Sequence, residues 1–157
     1  MSETVRLADQ IRRAFDGDAW HGDAVVELLD GINAKMAAAH PIKNAHSIWE
    51  LVLHIAAWDG AVLKRVGGAA IELSGKRNFP PVDDASEAAW RKAVEHAKQA
   101  HNELVKAVAA FPDARLQEQV PGKTESYHNF FYMFSGIVQH ELYHAGQIAL
   151  LKKAQTR

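Results

Sequence analysis

The chain has 157 residues, 48% apolar and 24% charged, the balance of a single globular domain over residues 1–157 and not of a disordered or fibrous chain. It has no cysteine, which excludes a disulfide framework, a thiolate nucleophile and any cysteine-based zinc or iron–sulfur site, and makes a cytoplasmic location the expectation. Eighteen Lys and Arg against nineteen Asp and Glu leave a formal net charge of −1 with neither sign clustered, and no stretch approaches the roughly 20 apolar residues that span a bilayer, so neither nucleic acid nor membrane is an expected partner.

Apolar residues recur at helical spacing nearly throughout, without strict alternation rich in Val, Ile and Thr, which predicts an all-α fold. The first helical segment runs from about Glu3 to about Asn33. It breaks around Gly17, Asp18 and Gly22, where helix-poor residues cluster, and a short helix from Asp23 to Ile32 takes over. The second opens at Ser47-Ile48-Trp49-Glu50, a capping box in which the serine hydroxyl accepts from the N–H three residues on and Glu50 reaches back. It stops at Gly67-Gly68.

The connection from about Gly67 to Asp83 is long enough to be a crossover. Asp84 and Glu87 read as a further box opening the third helix, which continues to about Ala110 before Pro112. The fourth helix begins between Ser126 and Phe130 and reaches Lys153, where Lys152 and Lys153 suit the negative end of the helix dipole. Four long helices with two long connections describe a four-helix bundle with crossover loops. Gly136 and Gly146 inside the fourth helix suggest close helix approach.

Nine histidines are many for this length. In His140-Glu141-Leu142-Tyr143-His144 the two imidazoles lie about 40° apart, one turn above the other, and can share a metal ion. The same residues match H-E-x-x-H, the zinc-protease helix whose glutamate is the general base. Residues Ala145 to Arg157 hold no His, Asp, Glu or Cys, however, so a third ligand has to come from upstream. The best position is His54, surrounded by Leu51, Ile55 and Trp58, where an imidazole needs a metal or a hydrogen bond. Three neutral nitrogens would leave a position open for water or substrate, as in catalytic sites. Glu141 is the acid/base candidate, and Tyr143 and Gln147 lie one turn from the site. His21 could approach the pocket mouth; His40, His46, His96, His101 and His128 read as structural or surface residues.

Trp20-His21-Gly22, the Ser47–Trp58 helix with His54, and His140-Glu141-Leu142-Tyr143-His144-Ala145-Gly146-Gln147-Ile148 together resemble the DinB/YfiT-like four-helix proteins over nearly the whole chain. The resemblance implies a divalent metal, zinc or nickel with iron as a further choice, held by His54, His140 and His144. It also implies an up-down-down-up bundle and a homodimer. Relatives of this kind include thiol S-transferases that use low-molecular-weight thiols, mycothiol-dependent isomerases, and proteins described as metal-dependent hydrolases. The isomerases carry a carboxylate where this chain has His140. The leading expectation is therefore a metal-dependent enzyme that activates water or a small thiol against a small-molecule substrate. The alternative is a non-catalytic, metal-stabilised stress-response binding protein, and a bundle without metal is a third reading.

Overall fold

The computed structural model describes residues 1–156. Six α-helices follow in order: α1 (Glu3–Asp16), α2 (Val25–Leu29), α3 (Ala34–Ala38), α4 (Ile48–Val66), α5 (Glu87–Ala109) and α6 (Phe130–Gln155). Short 3-10 turns occupy Gly75–Arg77 and Asp113–Arg115, and no strand forms among the described residues. The fold is all-α, as the apolar periodicity predicts. No described helix is long and apolar enough to cross a membrane.

Local chemistry sets the boundaries. Ser47 and Glu50 form the expected box, with Glu50 N–H donating to Ser47 Oγ at 3.2 Å and Ser47 N–H to Glu50 Oε2 at 2.8 Å. The expected Asp84–Glu87 box does not form. Ser86 is the cap, accepting from Ala89 N–H, while Asp84 accepts from Ser86 N–H and so shapes the turn before the helix. Glu87 instead accepts from Ala34 N–H at 2.8 Å, tying the start of α5 to the start of α3. Helix α3 itself was not expected. The segment ends α2 early at Leu29, turns through Gly31 at φ 75°, and restarts behind Asn33, whose side chain accepts from Met36 N–H. Asn129 caps α6 in the same way through Tyr132 N–H.

Helix α4 packs on α5 and α6, α1 packs on α5 and α6, and the two short helices lean on them. The apolar interior divides into two clusters. One holds Trp49, Ile55, Trp90 and Ile148 with residues of α2 and α3; the other holds Ile11, Val62, Leu104, Val108 and Phe134. On α4, α5 and α6 alike, Asp59, His101 and Glu141 fall between members of these clusters, so the polar residues occupy the junction of two apolar masses. The glycines of α6 are not points of helix contact: a methyl group at Gly136 or Gly146 would meet nothing within 4 Å.

Candidate metal centre

Periodicity on α4 turns His54 to the interior, where it is 5% exposed, and on α6 it sets His140 and His144 on one face. The three imidazoles converge through Nε2. His54 Nε2 lies 2.9 Å from His140 Nε2, and His144 Nε2 lies 3.0 Å from the same atom. Nitrogens sharing one ion at about 2.1 Å stand about 3.0–3.4 Å apart as the angle at the ion opens from a right angle to tetrahedral.

The far side of each ring decides what these nitrogens carry. His54 Nδ1–H donates to the Asn78 carbonyl at 2.7 Å, and His144 Nδ1–H donates to Gln147 Oε1 at 2.7 Å. Both rings therefore present a bare lone pair at Nε2. His140 has at most one Nε2 proton to offer two such lone pairs, and its Nδ1 is buried without a partner. Charging the rings does not relieve the conflict, because burial holds all three below the ordinary imidazole value. For His140, burial and the neighbouring His144 and His54 push the value down to about 3. Three neutral nitrogens aimed at one point, short of protons, suit a divalent cation.

The connection after α4 aligns His54. Phe79 stacks on its ring at 4.0 Å and 7°, and its other face stacks on His46 at 3.9 Å. Asn78 also accepts from Trp58 Nε1–H through its side chain, at 2.9 Å. Sequence reading assigned no role to Asn78 or Phe79. Gln147, one turn from the site, is the acceptor that orients His144.

A second polar cluster lies deeper. Asp59, His101 and Glu141 are fully buried. His101 Nδ1–H donates to Asp59 Oδ2 at 3.2 Å, Glu141 Oε1 lies at ion-pair distance, 3.1 Å, and the imidazole stacks on Phe15 at 4.1 Å. Burial pulls His101 down, but the Asp59 and Glu141 carboxylates outweigh it and raise the imidazole to about 9. Burial pushes Glu141 up to about 8 and raises Asp59 as well. One imidazolium facing two carboxyl groups is electrically balanced when one carboxyl keeps its proton. Asp59 Oδ1, Glu141 Oε2 and His101 Nε2 have no hydrogen-bond partner. Either triad, His54/His140/His144 or Asp59/His101/Glu141, could hold a metal ion.

The histidine triad adjoins a cavity of about 260 Å³ between the second half of α4 and the first half of α6. Trp58, Val62, Met133, Gly136 and Ile137 line it, with His140 in its wall.

A family profile described as the DinB superfamily matches residues 19–148. The chain belongs to the DinB superfamily. Neither a curated protein nor a solved structure matches it. The span matched to the DinB superfamily includes all six residues of the two triads.

Within this DinB-superfamily fold the other singled-out residues fall in different places. Glu141 points into the deeper cluster, where it is fully buried and faces His101, and does not line the cavity. Tyr143 is 66% exposed. Trp20 and His21 are exposed and border an outer groove with residues of α1 and with Val138 and Leu142 of α6, away from the cavity. His40 and His46 contact Glu50 at the surface, His96 sits in an outer groove, and His128 reaches the cavity wall while held by Glu125. Of the two expectations for His101, structural or surface, the structural one holds: it is fully buried between two carboxyl groups. Its partners come from α4 and α6, so no local spacing reveals them.

Proposed function

We propose that this DinB-superfamily chain is a metal-dependent enzyme acting on a small molecule, with His54, His140 and His144 holding one divalent ion, zinc or nickel with iron as the further choice. The observation that carries this reading is the pair of bare Nε2 lone pairs facing His140 beside an open cavity. A bound ion would supply a Lewis acid that lowers the pKa of a water or a low-molecular-weight thiol at its open position, which supports hydrolysis or thiol S-transfer. The chain's own part is orientation and exclusion of water. The Asn78 carbonyl and Gln147 hold the imidazoles in one tautomer, while Trp58, Val62 and Ile137 give the reacting end of a substrate dry walls.

The four long helices and the lengthy connection from α4 to α5 support the up-down-down-up arrangement. Exposed Phe131, Tyr143 and Leu150 on α6 support a homodimer. The absence of cysteine supports the cytoplasm.

The test is elemental analysis of wild type and His54→Ala, both prepared without a nickel column, followed by ester-hydrolysis and thiol-transfer assays of the loaded protein. We expect about one divalent ion per chain at the histidine triad, lost in His54→Ala, and activity that chelation removes. Undiminished metal content in His54→Ala would refute the ligand assignment. A loaded protein inert in both assays, whose melting temperature falls sharply on chelation, would favour the non-catalytic binding protein.

A further inference from the structure

The cavity beside His140 has a second polar feature that the histidine triad does not use. Arg65 lies in its wall with a side chain only 5% exposed, yet its hydrogen bonds go to one acceptor: Nε and Nη2 both donate to the Ile71 carbonyl, at 3.0 and 2.6 Å. Its nearest carboxylate is Glu72, 4.0 Å away and 66% exposed. Glu72 is already engaged by Lys123, at 2.6 Å, and Lys123 also lines the cavity. Two cations thus share one solvated carboxylate, while the neighbouring Glu125 is engaged by His128, and a buried guanidinium at an apolar pocket calls for an anionic partner.

The location of this charge sets the size of that partner. The guanidinium carbon stands 5.5 Å from the centre of the Trp58 ring, and the same ring stands 5.7 Å from the His140 imidazole. One indole separates the cationic end of the cavity from the histidine triad. Val62, Met133 and Ile137 supply the apolar wall between.

We propose that Arg65 and Lys123 form a carboxylate-binding subsite, which selects a small monoanionic acid with an apolar body and presents its opposite end to His54, His140 and His144. The proposal rests on reading this cavity as the substrate pocket. A single negative charge suits two cations that already share one carboxylate, which favours a carboxylate over a doubly charged phosphate monoester.

The experiment is isothermal titration with 4-phenylbutyrate, its neutral amide and phenethyl phosphate, on metal-free and metal-loaded protein. The expected result is that the acid binds at least about tenfold more tightly than the amide, with or without metal, and more tightly than the phosphate. Lys123→Met should reduce the preference for acid over amide several-fold. Glu72→Gln, which frees both cations at an exposed position, should raise acid affinity several-fold. Arg65→Met should abolish the preference if it folds, and the two surface variants decide the matter if it does not.

Equal binding of acid and amide, a preference present only with metal, tighter binding of the phosphate, or weaker acid binding in Glu72→Gln would each overturn the subsite. Its failure is separable from that of the catalytic reading. A chain that binds no metal but prefers the acid refutes the enzyme and keeps the subsite. A chain that is active yet indifferent to charge does the reverse.

Discussion

The buried triad of Asp59, His101 and Glu141 makes an asymmetric prediction about stability, because charge counting separates its members. Replacing His101 with Leu removes the only cation and leaves two fully buried carboxyl groups facing each other. Breaking a buried ionic pair from one side costs about 3–5 kcal/mol. Replacing Glu141 with Gln removes the group that burial already holds protonated up to about pH 8, so at about pH 6 the charge state hardly changes and the cost should be within about 1 kcal/mol.

The pH dependence sharpens the contrast. Folded Glu141 keeps its proton to about 8, whereas the unfolded chain releases it near 4.5, so between those values the folded state binds more protons and wild-type stability falls as pH rises. The slope for one such group is at most about 1.4 kcal/mol per pH unit, and less if Asp59 shares the proton. Glu141→Gln lacks this dependence and should gain on wild type as pH rises from about 5 to 8. The assay is urea unfolding at several pH values in the presence of a chelator, so that metal binding does not enter. A His101→Leu protein as stable as wild type, or a Glu141→Gln protein whose deficit grows with pH, would refute the reasoning.

Other expected outcomes follow from single contacts. Gln147→Leu removes the acceptor of His144 Nδ1–H and should weaken metal binding about 10–100-fold, measured by competition with a chelating indicator; an unchanged affinity would mean that Gln147 does not orient the ring. Gly136→Ala meets open space and improves helix propensity, so stability should rise by up to about 1 kcal/mol in thermal unfolding. Asp113 accepts from Glu3 N–H, Thr4 N–H and Thr4 Oγ1, and these bonds hold its carboxyl below the usual 3.8. Its stabilisation is present above that ordinary value and disappears as pH falls through the lower folded value. Asp113→Asn should therefore be less stable than wild type at neutral pH and converge on it in acid.

What could be read from the sequence was what depends on spacing within one helix. His140 and His144 declare their shared face by being four apart, Ser47 and Glu50 declare a helix start, and His54 stands out as a polar residue on an apolar stripe. The deeper triad could not be read in this way, since Asp59, His101 and Glu141 each come from a different helix and meet only when three helices pack. Helix α3 was missed because five residues carry too little periodicity, and part of its support comes from Glu87, 53 positions away. That Ser86 and not Asp84 caps α5 depends on where the turn closes, a matter of backbone geometry that the Asp84–Glu87 spacing does not show.

The stack of Phe79 between His46 and His54, with the Asn78 carbonyl behind the ring, makes the irregular stretch after α4 a tuning element for the histidines. A backbone carbonyl has no side chain to mutate away, so its grip on His54 passes unseen through an alanine scan. Changes in the length or stiffness of this loop would instead shift the His54 ring while all three histidines stay in the sequence. Selection or design could thus adjust the three-histidine cluster from a segment that a search for histidines alone would leave out.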